Sequence, residues 1–130
     1  MTNSLQGNTL SVSLTVKDIE QSLHWYCDLV GFTVAEKHER EGKLMAVSLR
    51  AGKAAVLLTQ DDGARGLDRV KGAGFSLQIT TDQNLDELAQ HIKDGGGTLI
   101  NEPTDTPWGV RMFRLLDPDG FKLTISSERR

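Results

Sequence analysis

The chain spells one pattern twice: a strand, a helix and three more strands, then a glycine-rich link, then the same order again. Residues 10–16 alternate, with Leu10, Val12, Leu14 and Val16 on one side and Ser11, Ser13 and Thr15 on the other, which predicts a strand with one apolar face. Asp18 is placed to cap a helix, with Gln21 three residues on to reach back. Ile19, Leu23, Tyr26 and Val30 recur at helical spacing, and Gly31 supplies the left-handed stop. Strands follow over 32–37, 44–49 and 54–59, separated by a charged hairpin turn at 39–42 and a turn at Ala51-Gly52. Residues 60–74 carry four glycines and many charges and read as a linker, with a helical turn near 67–70. The order then restarts. Leu77 and Ile79 oppose Ser76, Gln78 and Thr80 in a strand over 75–81. Asn84, with Glu87 three on, caps a helix striped by Leu85, Leu88 and Ile92 and ended by Gly95-Gly96-Gly97. A short strand over 98–101 precedes the loop that holds Trp108, and the last two strands flank Asp117-Pro118-Asp119-Gly120, a type I turn by composition.

Such a repeat predicts an α+β fold of two βαβββ modules whose mixed sheets are cupped. The expected boundaries are 9–59 for the first module, 60–74 for the linker and 75–127 for the second, with 1–8 as a flexible tail. One helix covers only one face of its sheet. The other face is left with Ser11, Ser13, Thr15, Ser76, Gln78, Thr80, Thr124 and Ser126, small polar groups with room beside them. Two such faces curled toward each other enclose a polar-walled cavity, a common setting for a small-molecule site.

Composition narrows the function classes. A net charge of −3 leaves no basic footprint, so neither nucleic acid nor an anionic membrane surface is an expected partner. No apolar run approaches the roughly 18 residues of a membrane span. The opening MTNSLQGN lacks the charged-then-apolar pattern of a signal peptide. The lone Cys27 excludes an internal disulfide and fits a reducing compartment, so a cytoplasmic location is expected. Three local motifs are set aside. Asp117-Pro118-Asp119-Gly120 is too short for a calcium cage, Gly72-Ala73-Gly74 lacks the third glycine of a dinucleotide loop, and no G-x-S-x-G elbow exists.

Leu14-Thr15-Val16-Lys17-Asp18, Trp25-Tyr26 and Gly31-Phe32 resemble the opening of the vicinal oxygen chelate superfamily, and Gly109, Arg111, Phe113 and Asp117-Pro118-Asp119-Gly120 resemble its close. That group holds the glyoxalase I, bleomycin-resistance and extradiol-dioxygenase proteins. The resemblance covers residues 9–127. It implies paired βαβββ modules, a homodimer and a site inside a cupped sheet. In the metalloenzymes of the group, His and Glu project into the cup from the first and last strand of each module. The matching positions here are Ser11, Leu57 (Leu58 if the register slips), Ser76 and Thr124. Neutral hydroxyls and a leucine do not replace imidazole and carboxylate. The chain therefore resembles the metal-free branch, with no metal site and no cofactor expected.

Singly, His24 and His91 read as helix histidines beside the core stripe, and His38 with Glu36 as part of a solvated hairpin tip rather than a metal pair. Cys27 reads as packing, because it falls one turn beyond Leu23, close to the core face of the helix. Trp108 is either a stacking wall at the rim of the cup or a plug at the end of the core. Arg111 and Arg114 offer guanidinium forks to an anion, or simply charge a strand edge. The expected ligand-binding set is Ser11, Ser13, Leu57, Ser76, Gln78, Trp108, Arg111 and Thr124. The expected function is metal-independent sequestration of an antibiotic or metabolite, with a metal-dependent glyoxalase-like or dioxygenase-like lyase or isomerase as the alternative.

Overall fold

The computed structural model describes residues 4–128, so the first three residues of the expected tail lie outside it. Eight strands form two four-stranded sheets, one per module. The first holds β1 (Val12–Val16), β2 (Thr33–Arg40), β3 (Lys43–Ala51) and β4 (Ala54–Gln60) in the order β1-β4-β3-β2. The second holds β5 (Ser76–Thr80), β6 (Leu99–Asp105), β7 (Arg111–Leu116) and β8 (Lys122–Ser126) in the matching order β5-β8-β7-β6. In each, the first strand runs parallel to the last and the others pair antiparallel. A helix crossover makes that parallel pairing possible.

The first helix begins as α1 (Ile19–His24), capped by Asp18, whose carboxylate accepts from the backbone N–H of Glu20 and Gln21. It then widens into a π-helical turn over Trp25–Val30. Both Gly31 and Phe32 donate their N–H to the Tyr26 carbonyl, at 2.9 and 2.8 Å, and Gly31 takes the left-handed conformation that stops the helix. Apolar spacing carries no signal for the extra residue in that turn. The second helix, α2 (Leu85–Asp94), is regular; the Asn84 side chain caps Glu87 N–H at 3.0 Å. Gly96 is its left-handed residue, and Gly97 donates back to Ile92 O at 2.9 Å.

Each helix packs on one face of its own sheet, and the two covered faces merge into one core. Leu14, Leu49 and Leu58 from the first sheet, Leu115 and Leu123 from the second, and Tyr26, Ile92 and Phe113 are all almost fully buried. At about 1.5–3 kcal/mol for each fully buried apolar side chain, this core drives folding.

Four expectations change. Strand β1 starts at Val12, because Leu10 is 97% exposed and has no partner strand. Strand β2 runs into the expected hairpin turn as far as Arg40, leaving Glu41 and Gly42 as the turn itself. The short strand at 98–101 runs on to Asp105 as β6; its register breaks between Asn101 and Thr104, and Pro103, which has no N–H to donate, sits in that gap. Residues 67–70 form turns rather than a helical turn.

The larger difference concerns the linker and the Asp-Pro-Asp-Gly turn, which prove to be one joint. Asp117 Oδ1 accepts from Asp119 and Phe121 N–H at 2.9 and 2.8 Å, as a turn aspartate does. Its Oδ2 accepts the Tyr26 hydroxyl at 2.7 Å, across the module boundary. Asp119 accepts Lys17 N–H at 2.8 Å and the Ser22 hydroxyl at 3.4 Å. From the linker, Lys71 reaches Asp61 at 2.9 Å and Asp119 at 3.5 Å, and Arg69 reaches Asp61 at 2.7 Å. Lys71 and Asp61 are themselves almost fully enclosed, which buried charges tolerate only when paired.

Candidate functional site

Alternation along the strands, fixed by register, sorts side chains between the helix-covered face and the open face. On the first sheet, Ser13, Leu57, Ser48 and Glu36 stand in one open row, and Thr15, Thr59, Ala46 and His38 in the next. Leu57 is half-buried on this face, whereas Leu58 is fully buried in the core, so the register does not slip. Thr15 and Thr59 approach within 3.3 Å through their hydroxyls. His38 Nε2 lies 3.6 Å from Glu36 Oε1, on an outer strand whose eight residues are all exposed.

On the second sheet, Gln78, Thr124, Arg114 and Asn101 share an open row, flanked by Ser76–Lys122–Leu116 and Thr80–Ser126–Met112–Thr104. Gln78 donates to the Ser76 hydroxyl at 2.9 Å, and Arg114 Nε donates to Thr124 Oγ1 at 3.3 Å. Thr124 is only 2% exposed beneath this row.

The fold brings Ser13 and Leu57 together on one sheet, and Ser76, Gln78 and Thr124 on the other. Ser11 lies just ahead of β1, exposed. Trp108 stands 55% exposed in the β6–β7 loop, where the Thr106 hydroxyl accepts from Val110 N–H and pins the turn. Arg111 is on the helix side, not the cup side. It is forked onto Asp86 of α2 at 3.0 and 2.8 Å and held by Asp105 at 3.1 Å, and the Asp86 bond pushes its pKa up. The expected binding set holds Arg111 and not Arg114, yet strict alternation along β7 puts the two on opposite faces, with Arg114 on the open side.

The residues at the metal positions of the resemblance do not fit a divalent ion. Of the expected positions Ser11, Leu57, Ser76 and Thr124, Ser11 lies ahead of β1, and the strand partners of Leu57 and Thr124 are Ser13 and Gln78; with either set the groups offered are hydroxyl, amide and hydrocarbon. Among the described residues, no group of three or more His, Cys, Asp or Glu is arranged to hold one. Other titratable groups are tied to structure. Burial raises the Tyr26 hydroxyl far above its usual value and also raises Asp117, against which its hydrogen bonds pull. Half-burial raises the Cys27 thiol, which disfavours the nucleophilic thiolate. Hydrogen bonding to Gly63 N–H, with Lys71 beside it, lowers Asp61.

Two cavities border the sheets, and the larger takes in Gln78 and Thr80 from the open face of the second sheet. One of about 760 Å³ sits between the modules, with Phe32 and Ala54 on one side and Ile79, Leu88 and His91 on the other. One of about 500 Å³ surrounds the Asp86–Arg111–Asp105 cluster. Neither includes the open-face residues of the first sheet. Of the inter-module cleft's lining, strand parity singles out Gln78 and Thr80, whereas the turn at Gly52 and the helix end at Gly31 carry no sequence signal for it.

Comparison with known proteins fits this architecture. Residues 9–125 match the family model described as the Glyoxalase/Bleomycin resistance protein/Dioxygenase superfamily. The chain is 27% identical over 122 residues to a probable lactoylglutathione lyase of Synechocystis, covering 89% of this chain and 92% of that one. It is 30% identical over 118 residues to a bleomycin resistance protein of Geobacillus stearothermophilus, covering 82% and 86%. Among solved structures, TnmS3, an antibiotic binding protein from Streptomyces sp. CB03234, superposes with a TM-score of 0.72 at 21% identity over 96% of this chain and 98% of that one. No helix among the described residues is long and apolar enough to cross a membrane. The doubled βαβββ order, the paired sheets and a family match over nearly the whole length identify the chain as a member of the glyoxalase/bleomycin resistance protein/dioxygenase superfamily.

Proposed function

We propose that this protein binds a small, partly planar molecule without a metal ion, in a cup walled by the open sheet faces and closed by a second copy of the chain. The observation that carries this reading is the chemistry of those faces. Hydroxyls, an amide and a guanidinium share these faces with Leu57 and Met112, and the only carboxylate and imidazole in the described rows, Glu36 and His38, stand on the exposed outer strand, a mixture suited to holding and orienting an organic ligand. Neither cavity takes in the open face of the first sheet, which supports a cup completed by a second copy. The bleomycin resistance and antibiotic binding relatives support an antibiotic or metabolite as ligand.

A thermal-shift screen against metals, metabolites and antibiotics tests the reading, because a ligand that binds the folded state raises the melting temperature. Stoichiometric binding, insensitive to chelator and with the ligand recovered unchanged, is expected, and Leu57→Trp should abolish it by filling the cup. Sedimentation should give a dimer. The competing reading, a metal-dependent lyase or isomerase, draws on the probable lactoylglutathione lyase relative. About one equivalent of zinc, nickel, manganese or iron per chain, in protein purified without chelators, would favour it and overturn the metal-free reading.

A further inference from the structure

The two arginines of β7 have been given opposite situations. Arg111 is saturated on the helix side, its guanidinium shared between Asp86 and Asp105. Arg114 is half-buried on the open face, and its one bond is from Nε to the neutral Thr124 hydroxyl. No carboxylate pairs with it among the described residues. The surrounding face supplies none: its other charge is Lys122, one row away. The nearby acids are turned elsewhere, with Glu102 on Lys93 at 2.7 Å and Asp105 on Arg111. A half-desolvated guanidinium with most of its five donors unused favours an oxyanion that can accept two of them in parallel.

We infer that the ligand of the proposed cup carries a carboxylate or a phosphonate-like oxyanion, and that Arg114 is the residue that selects for it. Gln78 and Thr124 share its row and supply neutral donors beside the anion, while Ser76 and Lys122 extend the polar track. This rests on the cup reading above, and adds the sign of the ligand's charge. Glu36, on the open face of the first sheet, is the acid that would compete as neutraliser if a second copy set that face opposite Arg114.

The test uses a panel of one-, two- and three-ring aromatic compounds, each as carboxylate, phosphonate and neutral carboxamide, titrated calorimetrically into the full-length dimer. At least one ring size should bind in both charged and neutral forms, with an oxyanion preferred by about tenfold or more, the scale of one charge-assisted bidentate contact. Carboxylate and phosphonate arms then separate the two sources of the anion. In Arg114→Gln the preference should vanish while the carboxamide affinity is retained, and Arg114→Lys should keep part of it. A wild-type protein that binds charged and neutral rings equally overturns the inference and leaves the cup reading standing. So does a preference that survives Arg114→Gln. An Arg114→Gln protein that loses its dimer, with Glu36→Gln doing the same, assigns Arg114 to the subunit contact and also overturns it. If no ring of either kind binds, the cup reading fails and takes this inference with it.

Discussion

By the repeat, the β7–β8 turn and the β3–β4 turn are equivalent, yet one is locked and the other borders a cleft. The β7–β8 turn places Asp117 and Asp119 against Tyr26, Ser22, Lys17 and the linker lysine. The β3–β4 turn carries Gly52 and Lys53 beside the roughly 760 Å³ cavity, with α2 across from it. Lys53 has no ion pair among the described residues. The difference is made by two carboxylates in a four-residue turn, and it gives the pair of modules one fixed joint and one open seam.

Breaking the fixed joint should have the largest effect. Asp117→Ala leaves the Tyr26 hydroxyl and the N–H groups of Asp119 and Phe121 without their acceptor, in a buried site. Leaving buried donors unsatisfied costs about 1–3 kcal/mol each, so a loss of about 3 kcal/mol or more is expected in urea unfolding. The matched change in the open seam, Lys53→Ala, should stay within about 0.5 kcal/mol. Equal losses for the two variants would erase the distinction between the seams.

The helix ends sharpen the same contrast at a smaller scale. Gly31 ends the first helix with φ at 108° and nothing within 4 Å of a would-be Cβ, so only its backbone conformation demands glycine. Gly97, after the second, has an ordinary φ, but a Cβ there would stand 2.6 Å from Ile92 Cγ2, 2.9 Å from Ile92 O and 3.0 Å from Leu29 Cδ2. Most of the crowding comes from Ile92 of α2 itself, with Leu29 of the first module's π-helical turn next. Gly97→Ala should cost about 1–3 kcal/mol by overpacking, and Gly31→Ala about 1 kcal/mol by strain. Thermal melts of the two would rank them, and the reverse order would mean that the helices are less tightly apposed than the core implies.

What the sequence disclosed follows from what is local. Period-two and period-3.6 patterns, with capping Asp18 and Asn84, located both modules, because strand faces and helix caps are decided by neighbours in the chain. The capping residues bond as expected, although neither the Gln21 nor the Glu87 side chain returns a bond to its cap among the described residues. Strand parity in the sequence sufficed to place Ser13, Leu57, Ser76, Gln78 and Thr124 on the open faces. Arg111 was misplaced because its partner Asp86 is 25 residues away on α2, a contact that no local pattern encodes. The second role of Asp117 was hidden for the same reason. Its turn chemistry was complete in the sequence, while the Tyr26 hydroxyl arrives from 91 residues upstream.

The smallest expected effect is a pH dependence that tells the joint's two buried carboxylates apart. Burial raises Asp117 above the usual aspartate value of 3.8, although the bonds from Tyr26, Phe121 and Asp119 pull it back down. Asp61 is lowered, chiefly by Gly63 N–H and then by Lys71. For Asp117 the native state therefore holds its proton to a higher pH than the unfolded chain does. As pH falls through the folded pKa toward 3.8, the native state binds more protons than the unfolded one, and Asp117's contribution to stability rises. For Asp61 the sign is opposite: its contribution is present above 3.8 and is lost only as pH falls through its lower folded pKa. The two windows do not overlap, so a series of urea midpoints from about neutral pH down to about 4 reads Asp117 alone. Asp117→Asn, which fixes the neutral form while keeping an acceptor for the two backbone donors, should destabilise least near neutrality and progressively more toward the acid end relative to wild type. Curves that stay parallel across the series would mean that Asp117 is no harder to ionise than an aspartate in water, and that the Tyr26 bond fully offsets its burial.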